Sequence, residues 1–238
     1  MLNSYQQPVG PAVPGWTARQ APQRIGFTGH HCRLEPLDAR RHAAELHASY
    51  VQATDGRDWT YMFAGPFDDP ESYRRYVEKI AAGSDPLHYA VLDLGTGRAV
   101  GTLSLMRIDT THGSMEVGHV MFSPLLKRTP ISTEAQYLLM KYAFEGLGYR
   151  RYEWKCDSLN APSRRAAERL GFQFEGIFRQ HVIYKGRSRD TAWFAIVDRD
   201  WPLLQRAFTA WLAAENFDAQ GRQRRSLSEL RTSLQNEK

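Results

Sequence analysis

Cysteine is nearly absent: Cys32 and Cys156 are the only two in 238 residues, far apart and without a CxxC spacing. That excludes a disulfide scaffold or a cysteine-based zinc site, and predicts reduced, buried thiols in a cytoplasmic protein. No run of about 18 uninterrupted apolar residues occurs, so no membrane-spanning helix is expected. The opening MLNSYQQPVG lacks the basic head and apolar run of a secretory signal. His30-His31 and His42-x4-His47 do not match metal-ligand spacing, and HExxH, a P-loop and GxSxG are all missing. No metal is expected.

What is present points to a globular body with two extensions. Apolar residues make up 42%, enough for a substantial core. The net charge of +5 favours anionic partners, either nucleic acid or a nucleotide-bearing co-substrate. Part of the excess sits in Arg222, Arg224 and Arg225, inside a stretch 218–238 that reads as a basic polar tail with a short helical pattern after Ser226. Residues 1–24 carry Pro8, Pro11, Pro14 and Pro22, which forbid a helix and predict an extended arm on which Trp16 is free to dock or hang loose. The body is expected over 25–217.

Within it, alternation predicts a strand at 31–37. Asp38 then caps a helix over 39–51, and Pro70-Glu71 opens a second helix that ends near Gly83. Strands follow at 88–92, 99–108 and 115–122, a helix at 133–144, a strand at 151–156 and a helix at 161–170 closed by Gly171. A hairpin over 173–184 and 190–197 and a helix over 200–217 complete an α/β sandwich with a mixed sheet.

That order carries Glu116-Val117-Gly118-His119-Val120-Met121-Phe122, then Thr133-Glu134-Ala135. Asn160-Ala161-Pro162-Ser163-Arg164-Arg165-Ala166-Ala167-Glu168-Arg169-Leu170-Gly171-Phe172 and Glu175-Gly176 follow. Together these resemble the GNAT acetyltransferases, nearest the ribosomal-protein alanine N-acetyltransferase branch. The resemblance implies a mixed, mostly antiparallel central sheet flanked by helices. It also implies a cytoplasmic enzyme that moves acetyl from acetyl-CoA to a primary amine, on a protein N-terminus or a small molecule. Homodimers are common among such proteins, and neither a membrane nor a nucleic acid is expected as partner. The alternative is a GNAT-fold module that binds acyl-CoA without turnover, or docks on RNA or ribosomes.

By the same resemblance, the CoA pyrophosphate lies against the loop after the Phe122 strand, with backbone near Met121 and Phe122 serving the thioester. Here the sequence departs from the family. The loop reads Lys127-Arg128-Thr129-Pro130-Ile131-Ser132-Thr133, without the usual glycines. Lys127, Arg128 and the hydroxyls of Thr129, Ser132 and Thr133 are the compensating candidates. Asn160 matches the pantetheine-binding position and is also a natural helix cap.

Amine attack on a thioester needs a base, since an ordinary lysine with a pKa near ~10.4 is charged at neutral pH. Glu116 is the first candidate and His119 the second. Alternation puts Glu116 on the face of Gly118, and His119 on that of Val117, so both reach one site only across a bulge. Where the family has a general-acid tyrosine this sequence has Ala167. Either Ser163, at the place where the ribosomal-protein branch has a serine close to the CoA sulfur, assists the thiolate, or the thiolate leaves unaided. Trp59 and Tyr61, in an aromatic loop, are expected to wall the acceptor pocket.

Overall fold

The computed structural model describes residues 1–237. Eight strands form one sheet in the order β1-β2-β3-β4-β5-β6-β8-β7. They are β1 (Phe27–Thr28), β2 (Cys32–Pro36), β3 (Leu87–Asp93), β4 (Ala99–Asp109), β5 (Ser114–Phe122), β6 (Arg151–Asp157), β7 (Gln173–Tyr184) and β8 (Arg187–Val197). Every pair is antiparallel except β5 with β6. The helices are α1 (Ala39–Tyr50), α2 (Pro70–Ala81), α3 (Pro130–Lys141), α4 (Ala161–Leu170), α5 (Trp201–Leu212) and α6 (Leu227–Asn236).

Local chemistry sets the helix ends. The side chains of Asp38, Asp69 and Asn160 accept from the amides of Arg41, Ser72 and Ser163, each cap contributing about 1 kcal/mol. Gly171 stops α4 at φ +101°, where a Cβ would also strike Leu204. The expected helix 133–144 starts earlier, at Pro130, and its end relaxes into a π-helical turn, Tyr142–Gly146.

The strands bury side chains on both faces. Leu87, Tyr89 and Val91 join Leu139, Phe194 and Phe208 in a core with residues of α3, α4, α5 and α6. Ala90 and Leu92 meet Leu46, Tyr73 and Val77 under α1 and α2.

Both extensions are docked. Trp16 Nε1 donates to the Thr111 carbonyl at 2.9 Å, its ring lies 4.2 Å below the Arg19 guanidinium, and the Tyr149 hydroxyl donates to the Gln20 carbonyl at 3.2 Å. The stretch expected to be a polar tail folds back instead. Buried Asn216 donates to the carbonyls of Trp211 (3.0 Å) and Arg225 (3.1 Å), and a Ser226/Glu229 capping box starts α6. Leu227 and Leu230 of α6 are then buried in the core shared with α5.

Candidate active site

Parallel pairing of β5 with β6 runs from Ser114–Arg151 only to Val117–Trp154. Beyond Val117, the β6-facing edge of β5 has no strand partner, so its backbone groups are available to a ligand. The parting has a local cause. Between Thr102–Met121 and Ser104–Gly118, β4 advances two residues while β5 advances three. The extra residue falls at His119–Val120, and His119 sits at φ +50°, a left-handed conformation that a residue with a Cβ rarely adopts. Gly118 is tied to this packing, because a Cβ there would lie 2.3 Å from Met106 Sδ.

The bulge answers the alternation problem. His119 meets His88 edge to face at 5.0 Å, and both His119 and Glu116 line one cavity on the α1/α2 side of the sheet. Two further left-handed residues, Arg107 and Gln180, sit at register shifts in β4 and β7 beside the same cavity. Asp85 holds the first shift by accepting from the amides of Arg107 (2.8 Å) and Ile108 (3.0 Å).

A second cavity, about 460 Å³, lies on the other side of the gap, between the start of α3 and α4. Tyr61, Met62, Val120, Trp154, Asn160 and Ser163 line both cavities, so the two meet at the gap. The Tyr61 hydroxyl donates to the Leu159 carbonyl at 3.2 Å, bridging its loop to the lip of α4. Lys185 Nζ donates to the Trp59 carbonyl at 2.7 Å and ties the β7–β8 turn to that loop.

The expected residues separate by what they touch. Glu116 is 3% exposed, and its Oε2 is held by Arg107 Nη1 at 2.7 Å and Lys155 Nζ at 2.9 Å. Lys155 also holds Glu153 at 2.6 Å and lies 3.8 Å from the Trp193 ring centre. His119 makes no such pair, and burial together with the Arg107 charge pushes its imidazole below the ordinary histidine range. Burial pushes His88 further, to about 3. Ser163 Oγ accepts from Trp154 Nε1 at 2.9 Å, which leaves the hydroxyl proton free to be donated. Asn160 spends its oxygen on capping Ser163 N at 3.1 Å and keeps its amide donors at the junction of the cavities.

In the second cavity, Met121, Phe122, Lys127, Arg128 and Ser132 are all in the lining, joined by Arg165 and Arg169. Arg128 takes φ +63°, the conformation for which a glycine is usually used. Lys127 Nζ is paired with Asp58 at 2.5 Å. The hydroxyls of Thr129 and Ser132 donate to the carbonyls of Leu126 (2.8 Å) and Thr129 (2.7 Å), and Thr133 Oγ1 accepts from Arg169 Nη2 at 2.7 Å. The loop hydroxyls are thus engaged in building the α3 start, and the cations Arg128, Arg165 and Arg169 offer the anion contacts. Sequence reasoning missed the two arginines of α4, although Arg165 and Arg169 stand four apart, on one helical face.

Trp59, expected to wall the acceptor pocket, lies behind the lining of the first cavity instead of in it. Its side chain packs edge-on against Tyr50 and Phe67 in the smaller core. Tyr61 and Phe63 form the wall.

Residues 31–173 match the family model for the acetyltransferase (GNAT) domain. A GCN5-related N-acetyltransferase from Brucella melitensis is 48% identical and superposes with a TM-score of 0.90, over 92% of this chain and 100% of that one. YdaF of Bacillus subtilis ("Putative ribosomal N-acetyltransferase YdaF") is 30% identical over 71% of this chain and 90% of its own length. An N-acetyltransferase of Bacillus licheniformis, p20, is 27% identical over 59% of this chain and 80% of its own. With the splayed strands and the paired cavities, these matches make the chain a member of the GNAT superfamily and an N-acetyltransferase.

Proposed function

We propose that this enzyme transfers acetyl from acetyl-CoA directly to a primary amine, with the co-substrate in the α3/α4 cavity and the amine in the α1/α2 cavity. The observation that carries the reading is the meeting of the two cavities at the open end of β5 and β6. Two molecules entering from opposite faces of the sheet can touch only there.

The residues present suit acetyl-CoA. Arg128, Arg165 and Arg169 supply positive charge beside the α3 N-terminus, where orphan amides and the helix dipole also favour phosphate. The free amide donors of Asn160 suit the carbonyls of the pantetheine arm. Unpaired amides on the β5 edge suit the oxygen of the thioester, on which negative charge develops during attack.

Of the two base candidates, His119 has the better chemistry. Glu116 Oε2 is already engaged by two cations at contact distance, whereas His119 makes no ion pair and is kept neutral by burial and the Arg107 charge. His119 removes the amine proton, the nitrogen bonds to the acetyl carbon, and the carbon–sulfur bond breaks. The departing thiolate accepts a hydrogen bond from Ser163, which suffices for a leaving group of modest basicity. Glu116 then acts through the ion pairs that position Arg107 and Lys155.

The test is release of free CoA thiol against a panel of amines, with products confirmed by mass, for wild type, His119→Asn and Glu116→Gln. Acceptor-dependent release that His119→Asn abolishes and Glu116→Gln only weakens is expected. Loss confined to Glu116→Gln would reverse the assignment of the base.

A further inference from the structure

Among the described residues, the acceptor cavity holds one cation that forms no salt bridge. Arg189, on β8, is 8% exposed and lines the cavity. Its neighbours on this face are already committed. Glu116 is bound to Arg107 and Lys155, Glu153 to Lys155 and Arg151, and Asp157 accepts from the Tyr184 hydroxyl at 2.8 Å and the Leu159 amide at 2.9 Å. Arg189 forms no salt bridge among the described residues; its Nε donates to Thr191 Oγ1 at 3.1 Å, and its terminal nitrogens make no hydrogen bond to the protein. The rings of Phe63 and Tyr184 lie 5.7 and 6.0 Å from the guanidinium carbon.

A guanidinium whose terminal nitrogens are left unengaged at a cavity presents a planar fork that matches a carboxylate. We infer that Arg189 binds a carboxylate of the acceptor, so that the amine to be acetylated belongs to a small amino acid-like molecule. The inference rests on the acyltransfer reading above and names its substrate class. Cavity size supports a small molecule: about 130 Å³, below the roughly 300 Å³ at which drug-sized ligand sites begin. Loop and turn enclose it further, through the Lys185–Trp59 bond and the 5.4 Å contact of Phe63 with Tyr184. The carboxylate docks at the β7/β8 end of the cavity, which leaves the amine to reach the gap by Ser163.

The experiment compares kcat/KM for free amino acids with that for the matching amino acid carboxamides, in wild type, Arg189→Lys and Arg189→Met. Acids should be preferred by about tenfold to a hundredfold, the equivalent of charge-assisted hydrogen bonds to a buried guanidinium. That ratio should fall towards one in Arg189→Met, chiefly through KM, and be partly kept in Arg189→Lys. Acids and amides reacting alike in wild type, or a preference untouched by Arg189→Met, would overturn the carboxylate site alone. So would faster acetylation of peptides, acidic or neutral at their first residue, than of free amino acids. If acetyl-CoA donates to no amine at all, the acyltransfer reading falls as well.

Discussion

The two cavities that meet between β5 and β6 are built in opposite ways. On the α3/α4 side, the groups offered to a ligand come from short contiguous segments: a loop, a helix start, and two arginines one turn apart on α4. On the α1/α2 side they come from β4, β5, β6, β7, β8 and the loop after α1, and register shifts aim several of them. The first arrangement suits a co-substrate that stays the same, and the second can be retuned one strand at a time. The contrast also explains what could be read beforehand. Asn160, Ser163, Lys127 and Arg128 sit in local motifs, were expected on the cofactor side, and all line the α3/α4 cavity. Arg189 carried no signal, since its role depends on what faces it across four strands.

The sharpest break in the comparison should come at His119. His119→Asn keeps a residue tolerant of the left-handed backbone and removes the base, so kcat should fall about 10²- to 10⁴-fold with acetyl-CoA affinity little changed. Single-turnover kinetics beside titration of acetyl-CoA would separate the two quantities.

Next in size is Lys155. Its side chain is 5% exposed and neutralises Glu116 and Glu153 together. Lys155→Met leaves both buried carboxylates short of a partner and should cost about 3–5 kcal/mol in denaturant unfolding. An unchanged midpoint would show that the network is wetter than its burial implies.

On the other side, Arg128 should respond quite differently. Arg128→Gly removes a positive charge but relieves a φ of +63°. Acetyl-CoA affinity should fall about tenfold while stability rises by about 1 kcal/mol. Calorimetric titration and thermal unfolding of one preparation measure both.

A last prediction is a pH slope. Burial holds His88 near 3 in the fold, against about 6.5 in the unfolded chain, so the unfolded state binds more protons between those values. Stability contributed by the neutral ring is therefore complete above pH ~6.5 and is lost as pH falls towards 3. His88→Asn should flatten that part of the curve of melting temperature against pH.

Much of the fold was legible because its signals are local. Asp38, Asp69 and Asn160 announce helix starts and Gly171 a helix end, and the alternation of 88–92 and 151–156 gives strands. The departures have physical causes. Trp59 looked like a pocket residue in an aromatic loop, yet a large ring gains more by filling the core between Tyr50 and Phe67. The stretch 218–238 looked like a tail because Asn216, whose side chain holds the Arg225 backbone, is polar and gives no apolar pattern. Glu116 looked like a free base because its cations, Arg107 and Lys155, lie on two other strands. A bulge was the one long-range feature that the order of residues demanded, from the need to bring Glu116 and His119 to the same face.

Thermal unfolding with and without acetyl-CoA tests the central claim most directly, using wild type and Asn160→Ser, which keeps a capping oxygen but loses the amide donors. Acetyl-CoA at a hundred times its dissociation constant should stabilise wild type by ~2.7 kcal/mol. For a domain of this size that is a rise of about 5–10 °C, and it should shrink in Asn160→Ser. No rise with saturating acetyl-CoA, or an equal rise in Asn160→Ser, would contradict the placement of the co-substrate in the gap between β5 and β6.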